Sequence, residues 1–313
     1  MHDRLVVSTS PHLHAGESTS RIMWLVVLSL VPAGIAGVVI FGLSALGVIA
    51  LGIASAVFAE ALLEALTKRK ITILDGSAFL TGLLLTYNLP PNVPFWLPIA
   101  GSVFSIAVGK HVFGGLGQNI FNPALVGRVF LIASWPRYMT SFTRPLAYDA
   151  VTQATPLAAL KEGKSLEGIS HLDLFLGLRG GCIGEVCIVA LLAGALFLLV
   201  MGYISWHTPL SFILTTAAIT FVFGPDGLFS GNWVFQILTG GLVLGAFFMA
   251  TDYVTSPLTR KGQIIFGIGC GLITAVIRLW GGYPEGVSYA ILMMNAATPV
   301  IDRFTKTRVY GTR

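Results

Sequence analysis

Ten apolar runs, each bounded by breakers, follow one another along the chain, near 21–43, 45–67, 76–90, 95–113, 122–135, 182–204, 209–224, 232–250, 263–281 and 287–302. Crossing the hydrocarbon layer of a bilayer takes a helix of about 20 largely apolar residues. The third and fifth runs are short and interrupted, by TYNLPPNVP after one and GQNIFNPAL before the other. A polar stretch, 136–178, separates the first five runs from the last five. The pattern predicts an all-α integral membrane protein in five parts. These are an N-terminal segment (1–20), a first transmembrane repeat (21–135), a loop outside the membrane (136–178), a second repeat (179–303) and a tail (304–313).

Composition agrees with that reading. Of 313 residues, 55% are hydrophobic and 11% charged, with a mean hydropathy of +0.82. Soluble domains carry about 25% charged residues, so this chain cannot cover itself with a solvated surface. Its net charge of +5 comes from short basic clusters between apolar runs, which sets topology and gives no stripe for nucleic acid. TKRK (67–70), GKH (109–111), TRKG (259–262) and DRFTKTR (302–308) fall on one side if the runs alternate. The opposite loops NLPPNVP, GPDGLFSGN and GGYPEG carry no Lys or Arg. Both termini are therefore expected in the cytoplasm, with the chain multi-pass in its membrane and 136–178 outside. The polar N-terminus reads as lacking a signal peptide.

An internal echo refines the fold. FLTGLLL (79–85) resembles ILTGGLV (237–243), and KHVFGGLGQNIFNPALVGR (110–128) resembles IRLWGGYPEGVSYAILMMNAATPVIDR (277–303) in its order of features. With five crossings per half, the two copies must be inverted, so about ten helices form two inverted five-helix repeats. That arrangement puts functional groups at broken helices between the halves. The three cysteines, Cys182, Cys187 and Cys270, read as small packing residues and cannot by themselves ligate an ordinary iron–sulfur cluster. GLRGGCIG (177–184) follows no strand, so it reads as close helix packing and not as a dinucleotide loop.

The stretch YDAVTQATPL (148–157) is out of character with the rest. Within it DAVTQAT fits Asp-x-x-Ser/Thr-x-Ala-Thr, from Asp149 through Thr152 and Ala154 to Thr155, a chance match on the order of half a percent in this length. It resembles the flavinylation motif of the RnfD/NqrB family of membrane ion-pumping oxidoreductases, with Gln153 standing where that motif usually has Gly. The resemblance implies that a flavin transferase reads Asp149, Thr152 and Ala154 and leaves FMN on Thr155 through a phosphoester, making Thr155 a phosphoryl threonine. SPHLHAG (10–16), DGSAFLTGLLL (75–85), NIFNPALVGR (119–128), GGCIGE (180–185), TDYVTSPLTRKG (251–262) and GGYPEGVSYAILMMNAATPVIDR (281–303) extend the likeness over nearly the whole chain. The short N-terminal segment favours the RnfD side of the family over the NqrB side. The resemblance implies a subunit, not catalytic alone, of a complex that passes electrons between ferredoxin and NAD while moving Na+ or H+. Iron–sulfur and flavin subunits would be its partners, and a non-covalent riboflavin a second cofactor.

A covalent link also makes physical sense. It retains a flavin through every redox state on a face where a released one would be lost, and leaves the protein to position and tune the ring. The hydroxyl of Thr155 is expected to be exposed beyond the lipid. Arg137, Arg144 and Lys161 are candidate partners for the anionic phosphodiester, with solvated loop charges as the alternative.

Ionisable residues in the membrane cost about 2.5–3.5 kcal/mol each on insertion scales. Glu60 and Glu64, four apart on one helix face, and Glu185 are candidates for an ion path. Asp75, Asp302 and Lys110 read as paired or snorkelling charges, and Arg128 and Arg278 occupy related places in the two repeats. Thr251, Asp252, Thr255 and Ser256 cluster at one break, and Asn119 and Asn122 at the other. They are candidates for a flavin or ion site, against helix capping. His12 and His14 make an incomplete metal set, and their segment is expected to pack on a neighbouring protein of the complex. The competing reading is an inverted-repeat channel or transporter for small solutes, without a redox role. It explains the breaks but leaves the Asp-x-x-Thr-x-Ala-Thr stretch without a purpose.

Overall fold

The computed structural model describes residues 18–143, 152–153, 155–161, 170–224, 227–283 and 285–306. The chain is mostly helical. Helix α1 (Thr19–Phe41) starts where the Ser18 hydroxyl accepts the Arg21 N–H, and it stops at Gly42, whose φ of +77° a side chain would resist. Helix α2 (Leu43–Leu66) follows at once, and a 3₁₀ turn, Ile73–Asp75, leads into α3 (Ser77–Tyr87). Helix α4 (Trp96–Phe104) runs into a π-helix, Ser105–His111, whose wider turn is marked by the Val112 N–H donating to Ala107 O. Helix α5 (Pro123–Ser134) begins with Pro at its first position and the Asn122 side chain capping the N–H groups of Ala124 and Leu125.

The intervening stretch carries three short helices, α6 (Pro136–Met139), α7 (Pro156–Lys161) and α8 (His171–Leu176). A two-residue ladder, β1 (Phe142–Thr143) against β2 (Thr152–Gln153), also lies here, and a second one, β3 (Phe223–Gly224) with β4 (Gly227–Leu228), lies further on. These are small departures from the all-helical expectation. Then come α9 (Ile188–Val200), α10 (His207–Val222), α11 (Trp233–Leu238) and α12 (Leu242–Leu244), the last extended by a π-helix, Gly245–Met249. Helices α13 (Arg260–Trp280) and α14 (Val287–Phe304) complete the order.

Among the described residues, α1, α2 and α13 are long and apolar enough to cross a membrane, with mean hydropathies of 2.4, 2.2 and 1.7, and α3, α5, α9 and α10 are shorter apolar helices. Two predicted runs depart from one continuous helix. The run over 182–204 becomes helical only at Ile188. The run over 232–250 breaks at Thr239–Gly241, where Gly240 and Gly241 hold φ of +69° and +61°. The residues before α9 instead meet the end of α3, with the Ile183 and Gly184 N–H groups donating to Leu89 O and Tyr87 O at 3.0 Å each. Non-helical backbone at membrane depth survives only where protein satisfies it, and here two breaks satisfy each other.

Helix α2 packs on α3 and α4, α1 on α9, and α10 and α14 on α13. The α2–α3 seam depends on small residues: a Cβ at Gly82 would stand 2.8 Å from Gly52 O and 2.9 Å from Ile53 Cα. One main core, including Leu30, Leu85, Leu125, Phe212, Phe266 and Ile291, joins elements from both halves of the chain. Large apolar side chains such as Leu28, Val39, Phe58 and Leu196 stay exposed, as residues facing lipid do.

Candidate functional site

Thr155 precedes α7, and its hydroxyl accepts the Ala158 N–H at 3.2 Å while its carbonyl accepts the Ala159 N–H at 2.9 Å. The residue is 4% exposed, which corrects the expectation of an exposed hydroxyl. Burial follows from packing: Leu157, Leu174 and Phe235 form a small apolar cluster that draws α7, α8 and α11 together. Thr152 lies in β2 and is described only in its backbone, whereas Asp149, Ala154, Arg144, His12 and His14 lie outside the described residues. Arg137 is exposed. Lys161, offered as a phosphate partner, is already engaged. Its ammonium donates to the carbonyls of Ile277 at 3.4 Å, Gly281, and Tyr283 at 2.8 Å, and so clasps the end of α13.

Next to α7 lies a buried ionic cluster. Leu157 reaches toward Gly240, and a Cβ on that glycine would sit 2.9 Å from Arg278 Nη2. Arg278 donates to the carbonyls of Gln236 at 2.5 Å and of Thr239 and Gly240 at 3.0 Å, satisfying the backbone freed by the break between α11 and α12. Arg128 donates to Asn88 Oδ1 and Glu285 Oε2, each at 2.6 Å, and Arg179 to Glu185 O at 3.3 Å. Glu185 Oε1 accepts the Cys182 N–H at 3.2 Å. Its Oε2 points at Gly241, where a Cβ would approach to 2.6 Å. Among the described residues, Glu185 Oε2 and the Nε atoms of Arg128, Arg179 and Arg278 are buried without a hydrogen-bond partner. Three guanidiniums face two carboxylates among the described residues, a surplus of one positive charge with unused donors.

The Asn and Thr/Asp breaks also converge. Asn122 donates from its side chain to Met249 O at 3.4 Å, and its backbone N–H donates to Asn295 Oδ1 at 3.3 Å. The Asn295 amide and the Thr298 hydroxyl both donate to Thr255 O at 3.0 Å. Asn119, Asn122, Thr251 and Asp252 line one largely apolar cavity of about 90 Å³ together with Phe247 and Phe248, well below the roughly 300–1,000 Å³ of drug-sized ligand sites. Thr255 donates to Asp252 Oδ2 at 3.1 Å, Ser256 to Asp252 O at 2.7 Å, and Thr251 to Phe247 O at 2.6 Å. Capping and cavity lining thus coexist in one segment.

Glu60 and Glu64 lie far from Glu185 in the chain and belong to another cluster. Lys110, 2% exposed, donates to Glu60 Oε1 at 2.5 Å and to Ser77 Oγ at 2.6 Å. Ser77 in turn donates to Asp75 Oδ1 at 2.5 Å. Asp302 accepts the Leu258 N–H at 3.3 Å near the start of α13. Residues that sequence reasoning passed over include Asn88, Arg179, Glu285, Gln236 and Asn295. Asn88 and Glu285 occur inside the quoted breaks TYNLPPNVP and GGYPEG, so a polar residue beside a Pro or Gly in an apolar context was the available signal.

A model of the family described as NQR2, RnfD, RnfE matches residues 6–311. The chain is 53% identical over 309 residues to the D subunit of the Na(+)-translocating ferredoxin:NAD(+) oxidoreductase complex of Acetobacterium woodii, covering 98% of this chain and 95% of that relative. It is 51% identical over 318 residues to the D subunit of the proton-translocating ferredoxin:NAD(+) oxidoreductase complex of Clostridium ljungdahlii, covering 98% and 96%. With the D subunit of an ion-translocating oxidoreductase complex of Escherichia coli it shares 38% over 348 residues, covering 98% of each.

Proposed function

The chain belongs to the NQR2, RnfD, RnfE family, and from that premise we propose that it is the RnfD-type membrane subunit of an Rnf ferredoxin:NAD oxidoreductase. In this reading it passes electrons through FMN esterified to Thr155 and couples their passage to Na+ or H+ movement. Its ten crossings form two inverted repeats, with both termini in the cytoplasm and the Thr155 segment on the other face. Iron–sulfur and flavin subunits are its partners, and a flavin transferase matures it.

The observation that carries the reading is the seat of Thr155. Its helix rests through Leu157 on Gly240, beside a buried cluster with an unpaired positive surplus and three idle Nε donors. Those donors suit a group that is anionic at its phosphate and gains charge on reduction. When bound, the flavin supplies one- and two-electron chemistry. The chain's residues do the rest: Arg128, Arg179 and Arg278 hold negative charge in a low-dielectric setting, Lys161 fixes α7 to the end of α13, and Leu157 and Phe235 exclude water. Because Thr155 is buried, attachment requires the surrounding segments to open before α7 docks. The polar groups Asn119, Asn122, Thr251 and Asp252, with Thr255 orienting Asp252, would face a non-covalent riboflavin only if their cavity, about 90 Å³, widened to take the ring. Glu185, Glu60 and Glu64 remain the ion-path candidates.

Protein from the native host, denatured and run on a gel, is expected to fluoresce under ultraviolet light, and the Thr155 peptide to be heavier by one dehydrated FMN. Thr155→Ala should give a dark band. A native peptide of unmodified mass overturns the assignment.

A further inference from the structure

The cluster around Lys110 has a feature that neither ion pairing nor packing accounts for. Glu60 and Glu64 project from successive turns of α2 toward His111, the last residue of the π-helix, and one donor atom from each of the three lies within 4.8 Å of the others. Glu60 is 1% exposed, and while its Oε1 serves Lys110, its Oε2 is buried without a hydrogen-bond partner. Both ring nitrogens of His111 are buried and, among the described residues, unpartnered too. A buried carboxylate oxygen and a buried imidazole left idle beside each other are costly unless something joins them.

Glu64 is held in place for that purpose. Thr72 donates its N–H to Glu64 Oε2 at 2.9 Å and its hydroxyl to Oε1 at 2.5 Å, fixing the carboxylate as an outer partner fixes a metal ligand. The neighbouring cation Arg69 is turned away, donating to Gly114 O at 2.7 Å. Among the described residues, three carboxylates, Glu60, Glu64 and Asp75, face one ammonium, a surplus of two negative charges that one divalent cation cancels.

We propose that Glu60, Glu64 and His111 form a binding site for a divalent transition cation of the Zn2+ class. The donor set decides the class: imidazole with carboxylates suits zinc and its neighbours, whereas sodium, magnesium and calcium take oxygen. Bonds of about 2.0–2.2 Å in tetrahedral geometry put ligand atoms about 3.3 Å apart, so the site closes by about 1.5 Å at most, within reach of side-chain rotation. Water fills the fourth position. The bound ion ties α2 to the end of the π-helix. Glu60 and Glu64 are also ion-path candidates, so a tightly held ion would give them a binding role instead; the site does not rest on FMN at Thr155.

The test is a Co2+ titration of the purified full-length protein in detergent, stripped with chelator and kept in excess Na+ so that a sodium site stays silent. A saturable one-to-one visible d–d band, displaced by Zn2+, is expected. His111→Gln, which leaves the Lys110–Glu60 pair untouched, should abolish it. Thr72→Val should weaken binding about 10–100-fold, and His207→Gln should titrate like the parent. Absence of a saturable band in the parent, or an unchanged titration in His111→Gln, overturns the site, whatever Thr155 carries.

Discussion

The cluster around Arg128 and the cluster around Lys110 bury charge of opposite surplus. The first sets Arg128, Arg179 and Arg278 against Glu185 and Glu285; the second sets Glu60, Glu64 and Asp75 against Lys110. In the first, Arg278 and Arg179 are held by backbone carbonyls and Arg128 by Asn88 and Glu285, and the idle atoms are mostly donors. In the second, the Lys110 ammonium is engaged by Glu60 and Ser77, and the idle atoms are a carboxylate oxygen and an imidazole. Each surplus has the sign that the proposed ligand would neutralise: an anionic group near Thr155, a cation near His111.

The largest effects should come from removing one partner of a buried pair. Arg128→Met strands Glu285 and Asn88, and Lys110→Met strands Glu60. Each is expected to cost about 3–5 kcal/mol, measured by thermal unfolding in detergent. Lys110→Met combined with Glu60→Gln should recover more than half of that loss. Equal stability of the single and double variants would mean that the pair is not what the cluster is built on. A step smaller, Asn295→Ala removes the acceptor of the Asn122 N–H and a donor to Thr255 O, for about 2 kcal/mol. Gly241→Ala meets both a left-handed backbone and Glu185 Oε2, costing about 1–2 kcal/mol. Adding Glu185→Ala should relieve only the contact part. Smallest of all, Thr155→Ala loses the cap of α7 for about 1 kcal/mol, while Thr155→Ser, which keeps a hydroxyl, should unfold within about 0.5 kcal/mol of the parent.

Helix positions were legible because lipid demands apolar runs. The start of α5 was legible because Asn before Pro announces a cap. The convergence of the Asn119–Asn122 and Thr251–Thr255 breaks on one cavity could be guessed from the echo between the halves. The partners could not. Nothing local in the chain says that Arg278 serves the carbonyls of Gln236, Thr239 and Gly240, or that Asn295 bridges Asn122 to Thr255, since those contacts span about 40 to 170 residues. The two predicted runs that proved discontinuous, 182–204 and 232–250, share one cause. Hydropathy reports only that a segment is buried from water. Backbone at 182–187 and 239–241 stays apolar because it lies inside protein, where neighbouring stretches of backbone and Arg278 supply the hydrogen bonds a helix would have made.

The wide turn at the end of α4 also fixes geometry further along. A π-turn holds one residue more than the α-turn it replaces. The extra residue is taken up inside the turn, so the helix keeps its phase on either side. One further residue added after Val108, with no second wide turn to absorb it, would swing Lys110 and His111 by about 100° around the axis. They would leave Glu60 and Glu64 behind, although every charged side chain was still present. A three-base insertion there would erase the cluster.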